Sequence, residues 1–354
     1  MAKAPKPSQT PYSQRPARAF WQTGVGGRTG PELADLWHPK ASLNAETKIA
    51  TFGSCFARHI GHHLSARGWA WLNAEPAPAF APPDIAETYG YGNFSARTGN
   101  IYTTAALVQW LGWATGQPPP NHEYWPHNAR WVDPFRGDIE PGGFASPDLL
   151  LHSRSITIAA LRHAIEQADV FLFTLGQTEY WSNTLNGAVY QLCPGARGGV
   201  FDETQHIFTT SSVLNVLEEL GATRSLLHEI NPNLRLILSV SPIPLVATLR
   251  DMHVLSAAVH SKSVLHAAAV EFAGAHSNVD YFPSYELVSG PLAGPSRFDT
   301  GQRNVKLSTV DMVMAHFFAT ADTAPAPPPP KPIAQSDHND CDEAYYAAFA
   351  PGEP

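Results

Sequence analysis

Apolar runs alternate with amphipathic stretches along most of the chain. KIATF (48–52) and the segments 169–175, 235–241 and 279–282 are short and almost continuously apolar. Runs of that length, bounded by Gly or Pro, predict strands buried on both faces. Between them, apolar residues recur at helical spacing. Phe56, Ile60 and Leu64 mark the core face of a helix over 54–67, and further helices are predicted at 103–115, 155–167, 211–230, 256–275 and 308–319. Strands alternating with helices predict an α/β fold with a central parallel sheet covered on both faces. The predicted strands end at Gly53, Gly176, Pro242 and Pro283. These ends should share one edge, and ligands of parallel sheets bind at the carboxyl edge.

The pattern fades at both ends. Residues 1–19 are Pro-rich and polar and read as an N-terminal arm. From residue 321 the text is Ala-Pro rich, with APAPPPPKP at 324–332, and then acidic. Lacking apolar periodicity, the tail 321–354 is expected to be disordered or extended. The domain proper is then 20–320. A chain of 354 residues with 44% apolar and 15% charged residues can bury a sizeable core. Its net charge of −8 gives no electrostatic case for nucleic acid or an anionic membrane. No run approaches the roughly 18 apolar residues of a membrane span, and no secretory signal is visible. Cys55, Cys193 and Cys341 are too few and too far apart for a disulfide framework. These features together predict a cytoplasmic protein.

The chemistry concentrates at the predicted strand ends. Glycine and proline there are ordinary turn residues, but a thiol, a glutamate and several serines at the same edge are not. Gly53-Ser54-Cys55 leaves no room for a loop between the first strand and its helix. A side chain at the tip of such a turn meets the helix N-terminus, whose N–H groups and dipole favour a thiolate and can hold an oxyanion. Cys55 is therefore a candidate nucleophile with Ser54 as its competitor; the alternative is that Cys55 is a small buried filler. His59, His62 and His63 share the same predicted helix, with His59 and His63 on one face, but no Asp, Glu or Cys set completes a metal motif, and no metal or other cofactor is predicted. The stretch 121–141, rich in Trp, Tyr, Arg and acidic residues, reads either as a substrate-facing insertion, with Arg136 as its anion-binding group, or as a packed loop.

GSCFA at 53–57, with GNIYT (99–103), DPFR (133–136), TLGQTEYW (174–181), SKSVL (261–265) and YFPSYE (281–286), resembles the GSCFA family, which is grouped with the SGNH (GDSL-like) hydrolases. The resemblance implies a three-layer α/β/α sandwich of flavodoxin-like kind with a central parallel sheet, and an acyl-ester hydrolase or O-acyltransferase ancestry. Laid without a gap on the Gly-Asp-Ser block of those enzymes, Gly53-Ser54-Cys55 places Cys55 at the nucleophile; a shift of one residue makes it Ser54. The oxyanion glycine corresponds to Gly99, with Asn100 beside it. Gly176-Gln177-Thr178-Glu179 stands where Gly-x-Asn-Asp is expected, so Thr178 could donate through its hydroxyl and Glu179 adds a carboxylate. The Asp-x-x-His pair, expected near 297–308, is absent. His253, with Asp251 two residues away, is the leading substitute base, ahead of Glu286, Asp299 and His316. The implied substrate is a small-molecule or glycan acyl ester. The rival is a catalytically degenerate glycan-binding or assembly protein of the same fold.

Overall fold

The computed structural model describes residues 10–120, 122–291, 297–320 and 342–350; the first nine residues, most of the Pro-rich tail and Cys341 lie outside them. The chain passes through a one-turn helix α1 (Trp21–Gly24), β1 (Ile49–Gly53), α2 (Cys55–Ala66), α3 (Pro83–Thr88) and α4 (Thr104–Thr115). A hairpin of β2 (Trp125–His127) and β3 (Arg130–Val132) precedes α5 (Pro147–Gln167) and β4 (Val170–Leu175). Then come β5 (Glu179–Asn183), β6 (Val189–Tyr190), β7 (His206–Thr210) and α6 (Val213–Ile230). The domain closes with β8 (Arg235–Val240), α7 (Val254–Ala275), β9 (Val279–Phe282), α8 (Ser284–Ser289) and α9 (Leu307–Phe318).

The four apolar runs form one sheet in the order β1-β4-β8-β9, and every pairing is parallel. Gly53 lies opposite Thr174, Thr174 opposite Ser239 and Ser239 opposite Phe282, so the carboxyl ends stand level. Alternation along each strand sends Phe52, Phe171, Phe173 and Leu236 to the face packed by α4 to α7. It sends Ile49, Val170, Leu172 and Ile237 to the face packed by α2, α8 and α9. On that second face Phe56, Ile60 and Leu64 of α2 are fully buried. Burying each contributes roughly 1.5–3 kcal/mol, which clamps the helix and hence its first turn against the sheet.

Trp71 makes an isolated parallel bridge to Ile49 on the side of β1 away from β4. The chain thus leaves β1 through α2 toward one side of the sheet and later returns to β4 on the other. Such a reversal opens a crevice outside the carboxyl ends of the two strands, the usual ligand site of open parallel sheets. Here that crevice lies between Gly53 and Gly176.

Beyond α1, α3, α8 and the β2–β3 hairpin, which the pattern does not predict, three parts depart from the sequence reading. α5 begins at Pro147, not near residue 155, because the Ser146 hydroxyl accepts the Leu149 N–H at 3.3 Å and Pro147 opens the helix. β5, β6 and β7 form an antiparallel sheet after β4 that the apolar pattern does not announce. Within the tail expected to be disordered, 342–350 instead carries a short 3-10 helix, Asp342–Phe349. The Tyr345 hydroxyl donates to Asp138 at 2.5 Å, and the Cys193 N–H donates to the Tyr346 oxygen at 2.7 Å. No described helix is long and apolar enough to cross a membrane.

Candidate active site

The turn after β1 requires its glycine. Gly53 has φ +131°, and a Cβ there would fall 2.4 Å from the Thr174 carbonyl oxygen of the neighbouring strand. The close approach lets the Ser54 N–H donate to that same oxygen at 3.0 Å, so the chain leaves the sheet and enters α2 within one residue. Ser54 is the N-cap and Cys55 the first helical residue. The Ser54 hydroxyl does not cap the helix and does not bond across the turn; it is buried and has no hydrogen-bond partner. The Thr174 hydroxyl, on the strand beneath, is likewise buried and unpartnered. Cys55 is buried and outside any disulfide.

Two further backbone segments close on this turn. The Ile101 N–H donates to the Gly53 carbonyl at 2.8 Å, and the Gly176 and Gln177 N–H groups donate to the Tyr102 carbonyl at 2.8 and 3.1 Å. Gly176 is wedged in place: an added Cβ would stand 3.1 Å from the Ser54 Cβ and 3.0 Å from the Tyr102 ring. Gln191 bridges the carbonyl of Asn100 and the N–H of Tyr102. The structure therefore brings Gly53, Ser54, Cys55, Asn100 and Gly176 together. It adds Tyr102, Gln191 and Lys262, which sequence reasoning missed. Lys262 is buried and its ammonium donates to the Gly176 carbonyl. Its signal was legible: position 262 lies on the stripe of Ala258, Leu265 and Ala269 that α7 buries.

Other expected residues have different work. The Thr178 N–H and hydroxyl both bond to the Ser261 Oγ, at 3.0 and 3.1 Å, so neither is turned to the crevice as an oxyanion donor. The Glu179 carboxylate accepts from the Thr248 hydroxyl at 3.0 Å and faces a separate cavity. Gly99 packs beside Arg136, whose Cα would lie 3.7 Å from an added Cβ. Arg136 is no substrate clamp. It is fully buried, its Nε donates to Asp133 at 2.9 Å, and Arg154 donates to the other oxygen of Asp133 at 2.9 Å. Burial alone would raise the Asp133 pKa, but the Arg154 and Arg136 charges outweigh it and hold the carboxyl below its ordinary value. This part of 121–141 is a packed ion cluster.

The proposed base is corrected too. His253 is exposed, and its Nδ1 accepts the Leu255 N–H at 3.1 Å as the N-cap of α7. It precedes Ser261, the α7 residue bonded to Thr178, by about 12 Å of helical rise. Asp251 is also exposed. Of the lesser alternatives, Glu286 accepts from Tyr281 and pairs with His266, Asp299 accepts from Asn304, and His316 bonds the Gly30 carbonyl. On α2, His63 pairs with Asp311 at 2.9 Å and His62 lies 3.2 Å from the Gly92 carbonyl. Burial, then the neighbouring Arg58, push the His59 pKa down to about 3, so its ring is neutral. Among the described residues no group of three or more His, Cys, Asp or Glu gathers as a metal site.

The GSCFA family model matches residues 48–317, from the first strand to the last helix. The chain belongs to the GSCFA family. No curated protein matches the chain. In this GSCFA protein the five-residue string Gly53–Ala57 is the strand-to-helix turn itself: Gly53 permits the close approach, Ser54 and Cys55 stand at the tip, Phe56 anchors the helix, and the Ala57 N–H closes the first turn on the Ser54 carbonyl at 2.8 Å.

Proposed function

We propose that this GSCFA protein is an SGNH-like acyl-ester hydrolase or O-acyltransferase of flavodoxin-like fold that works through a covalent acyl-enzyme on Cys55. The observation that carries the reading is the placement of Ser54 and Cys55 at the N-terminus of α2, at the point where the strand order reverses, with Gly176 and the Asn100–Tyr102 segment closed around them.

A Cys55 thiolate, favoured by the helix N-terminus, attacks the acyl carbonyl. Charge passes to the carbonyl oxygen, which the α2 N–H groups ahead of Ala57 and the Asn100 amide stabilise. Asn100 Nδ2 already donates to an anionic oxygen, Asp342 Oδ1, at 3.3 Å. The tetrahedral intermediate collapses with cleavage of the ester C–O bond, and the leaving alkoxide takes a proton from water. The resulting thioester is then attacked by water, giving hydrolysis, or by an acceptor hydroxyl such as that of a glycan, giving transfer; the C–S bond breaks, the Cys55 thiolate is released, and the attacking oxygen's proton passes to the hydroxide left by the first step. A preformed thiolate needs no base for the first attack, which accommodates the missing Asp-x-x-His pair. A Ser54 alkoxide would need one.

The competing reading is a non-catalytic glycan-binding or assembly protein. It draws support from the internal bonding of the Gly176 and Thr178 N–H groups. Intact-mass analysis after incubation with an activated ester decides between them. The catalytic reading expects one acyl adduct on the peptide containing Cys55; an unmodified chain and no ester turnover support its rival.

A further inference from the structure

Beside the crevice lies a cavity of about 660 Å³ between β5, β7, the 245–249 loop and the C-terminal segment. Its walls include Tyr180, Trp181, Phe201, Phe208, Leu245 and Leu249, with Tyr346 and Phe349 of the C-terminal segment. Polar lining is confined to a few groups, and two of them lead back to the reactive turn. Gln177 follows Gly176, which abuts Ser54, and Gln191 bridges Asn100 and Tyr102. Glu179, the one carboxylate in the lining among the described residues, is already bonded by Thr248.

A sugar in this cavity would exchange water for aromatic rings and aliphatic side chains, leaving most of its hydroxyls without partners, which is costly. An aliphatic chain has nothing to lose there. Exposure points the same way: Phe201, Leu249 and Phe349 line the cavity and are 44%, 65% and 68% exposed. Exposed apolar side chains gathered at one cavity, rather than scattered singly, mark a ligand groove. The volume also lies within the range of small-molecule sites.

We propose that this cavity seats an unbranched aliphatic acyl chain longer than acetyl, with its carboxyl end toward the Gln177–Gln191 side that adjoins the turn, where both side-chain amides are already held by the chain itself. The proposal rests on the acyl-ester reading for the link to catalysis, but not for the binding of the chain itself.

The test uses the full-length protein and two parallel series, from four to twelve carbons. Free saturated fatty acids, kept below their micellar concentrations, are titrated against Trp fluorescence, since Trp181 lines the cavity. The p-nitrophenyl esters of the same acids are assayed for turnover. Fatty-acid affinity should tighten about fourfold per added methylene, equivalent to about 0.8 kcal/mol each, until the cavity is full. Val246→Trp, which fills the cavity from the loop, should weaken octanoate binding at least tenfold. Leu249→Glu, at an exposed lining position, should do the same if the first variant folds poorly. Affinity independent of chain length overturns the proposal, as does length-dependent binding that neither variant changes. Length-dependent binding lost in the variants, without ester turnover, supports the cavity and sinks the enzymatic reading. Turnover indifferent to chain length, with no fatty-acid binding, supports the enzyme and overturns the cavity.

Discussion

Replacing Asp133 by Asn keeps the side chain's shape and removes its charge. Arg136 and Arg154 flank Asp133 at 2.9 Å each, and all three side chains are at most 1% exposed. The variant strands two guanidinium charges in the interior. Removing one partner from a buried ion pair costs about 3–5 kcal/mol. Against a total stability of about 5–15 kcal/mol, that is a large fraction. For a domain of about 300 residues it corresponds to a melting midpoint lower by roughly 5–8 °C. The matched control is Arg162→Ala, which breaks the half-exposed Arg162–Glu166 pair at 2.8 Å and should cost about 0.5 kcal/mol. Thermal melts followed by near-UV circular dichroism compare the three proteins. The pH dependence has a fixed sign. Asp133 is held below its ordinary pKa, so its contribution is complete above the unfolded value of about 4 and drains away only as pH falls through the lower folded value. The curves of wild type and Asp133→Asn should therefore converge at acid pH. A loss no larger than that of Arg162→Ala would refute the structural assignment of the cluster and return Arg136 to the candidates for binding substrate.

Gly53→Ala should disrupt the turn, because neither its φ nor the 2.4 Å approach to the Thr174 carbonyl admits a methyl group; soluble yield and melting midpoint both read this. Gly176→Ala should lower ester turnover more than it lowers the melting midpoint, since the new methyl pushes on Ser54 and Tyr102; a turnover equal to wild type would contradict that packing. His59, with its pKa pushed down to about 3, stabilises fully above the unfolded value of about 6.5 and progressively less as pH falls below it. Its NMR ring signals should show no titration between pH 5 and 8, a window set by ordinary histidine behaviour. Cys193, whose thiol burial pushes up to about 11, should alkylate slowly, and faster once residues 342–354 are deleted, because Tyr346 then no longer covers its backbone. An unchanged rate would show that the segment does not shield it.

Strands were legible where burial on both faces produced unbroken apolar runs: all four members of the central sheet, their direction and their shared edge follow from that one signal. The β5–β7 sheet was not, because Glu179–Asn183 pairs polar and aromatic residues with no long run. The turn from the first strand into its helix could be read because Gly53-Ser54-Cys55 carries its own steric logic. Its surroundings could not. Tyr102 and Gln191 act through a backbone carbonyl and a side-chain amide brought from far along the chain, and nothing local marks such contacts. Arg136 misled because a buried ion cluster and a substrate clamp use the same residue types. His253 misled because a histidine after a strand-end loop also makes a serviceable helix cap. Residues 342–350 depart from the tail's reading because Ala and Pro dominate the composition of 321–354 as a whole, while Tyr345 and Tyr346 make the contacts.

The central claim is that the Cys55 thiolate forms the acyl-enzyme, and it is tested most directly by steady-state turnover of one activated ester by wild type, Cys55→Ala and Ser54→Ala, each checked for an unchanged melting midpoint. The account predicts that Cys55→Ala abolishes turnover and that Ser54→Ala weakens it without abolishing it. Full activity in Cys55→Ala with none in Ser54→Ala would contradict the claim and move the nucleophile one residue earlier. Full activity in both variants would show the turn to be structural.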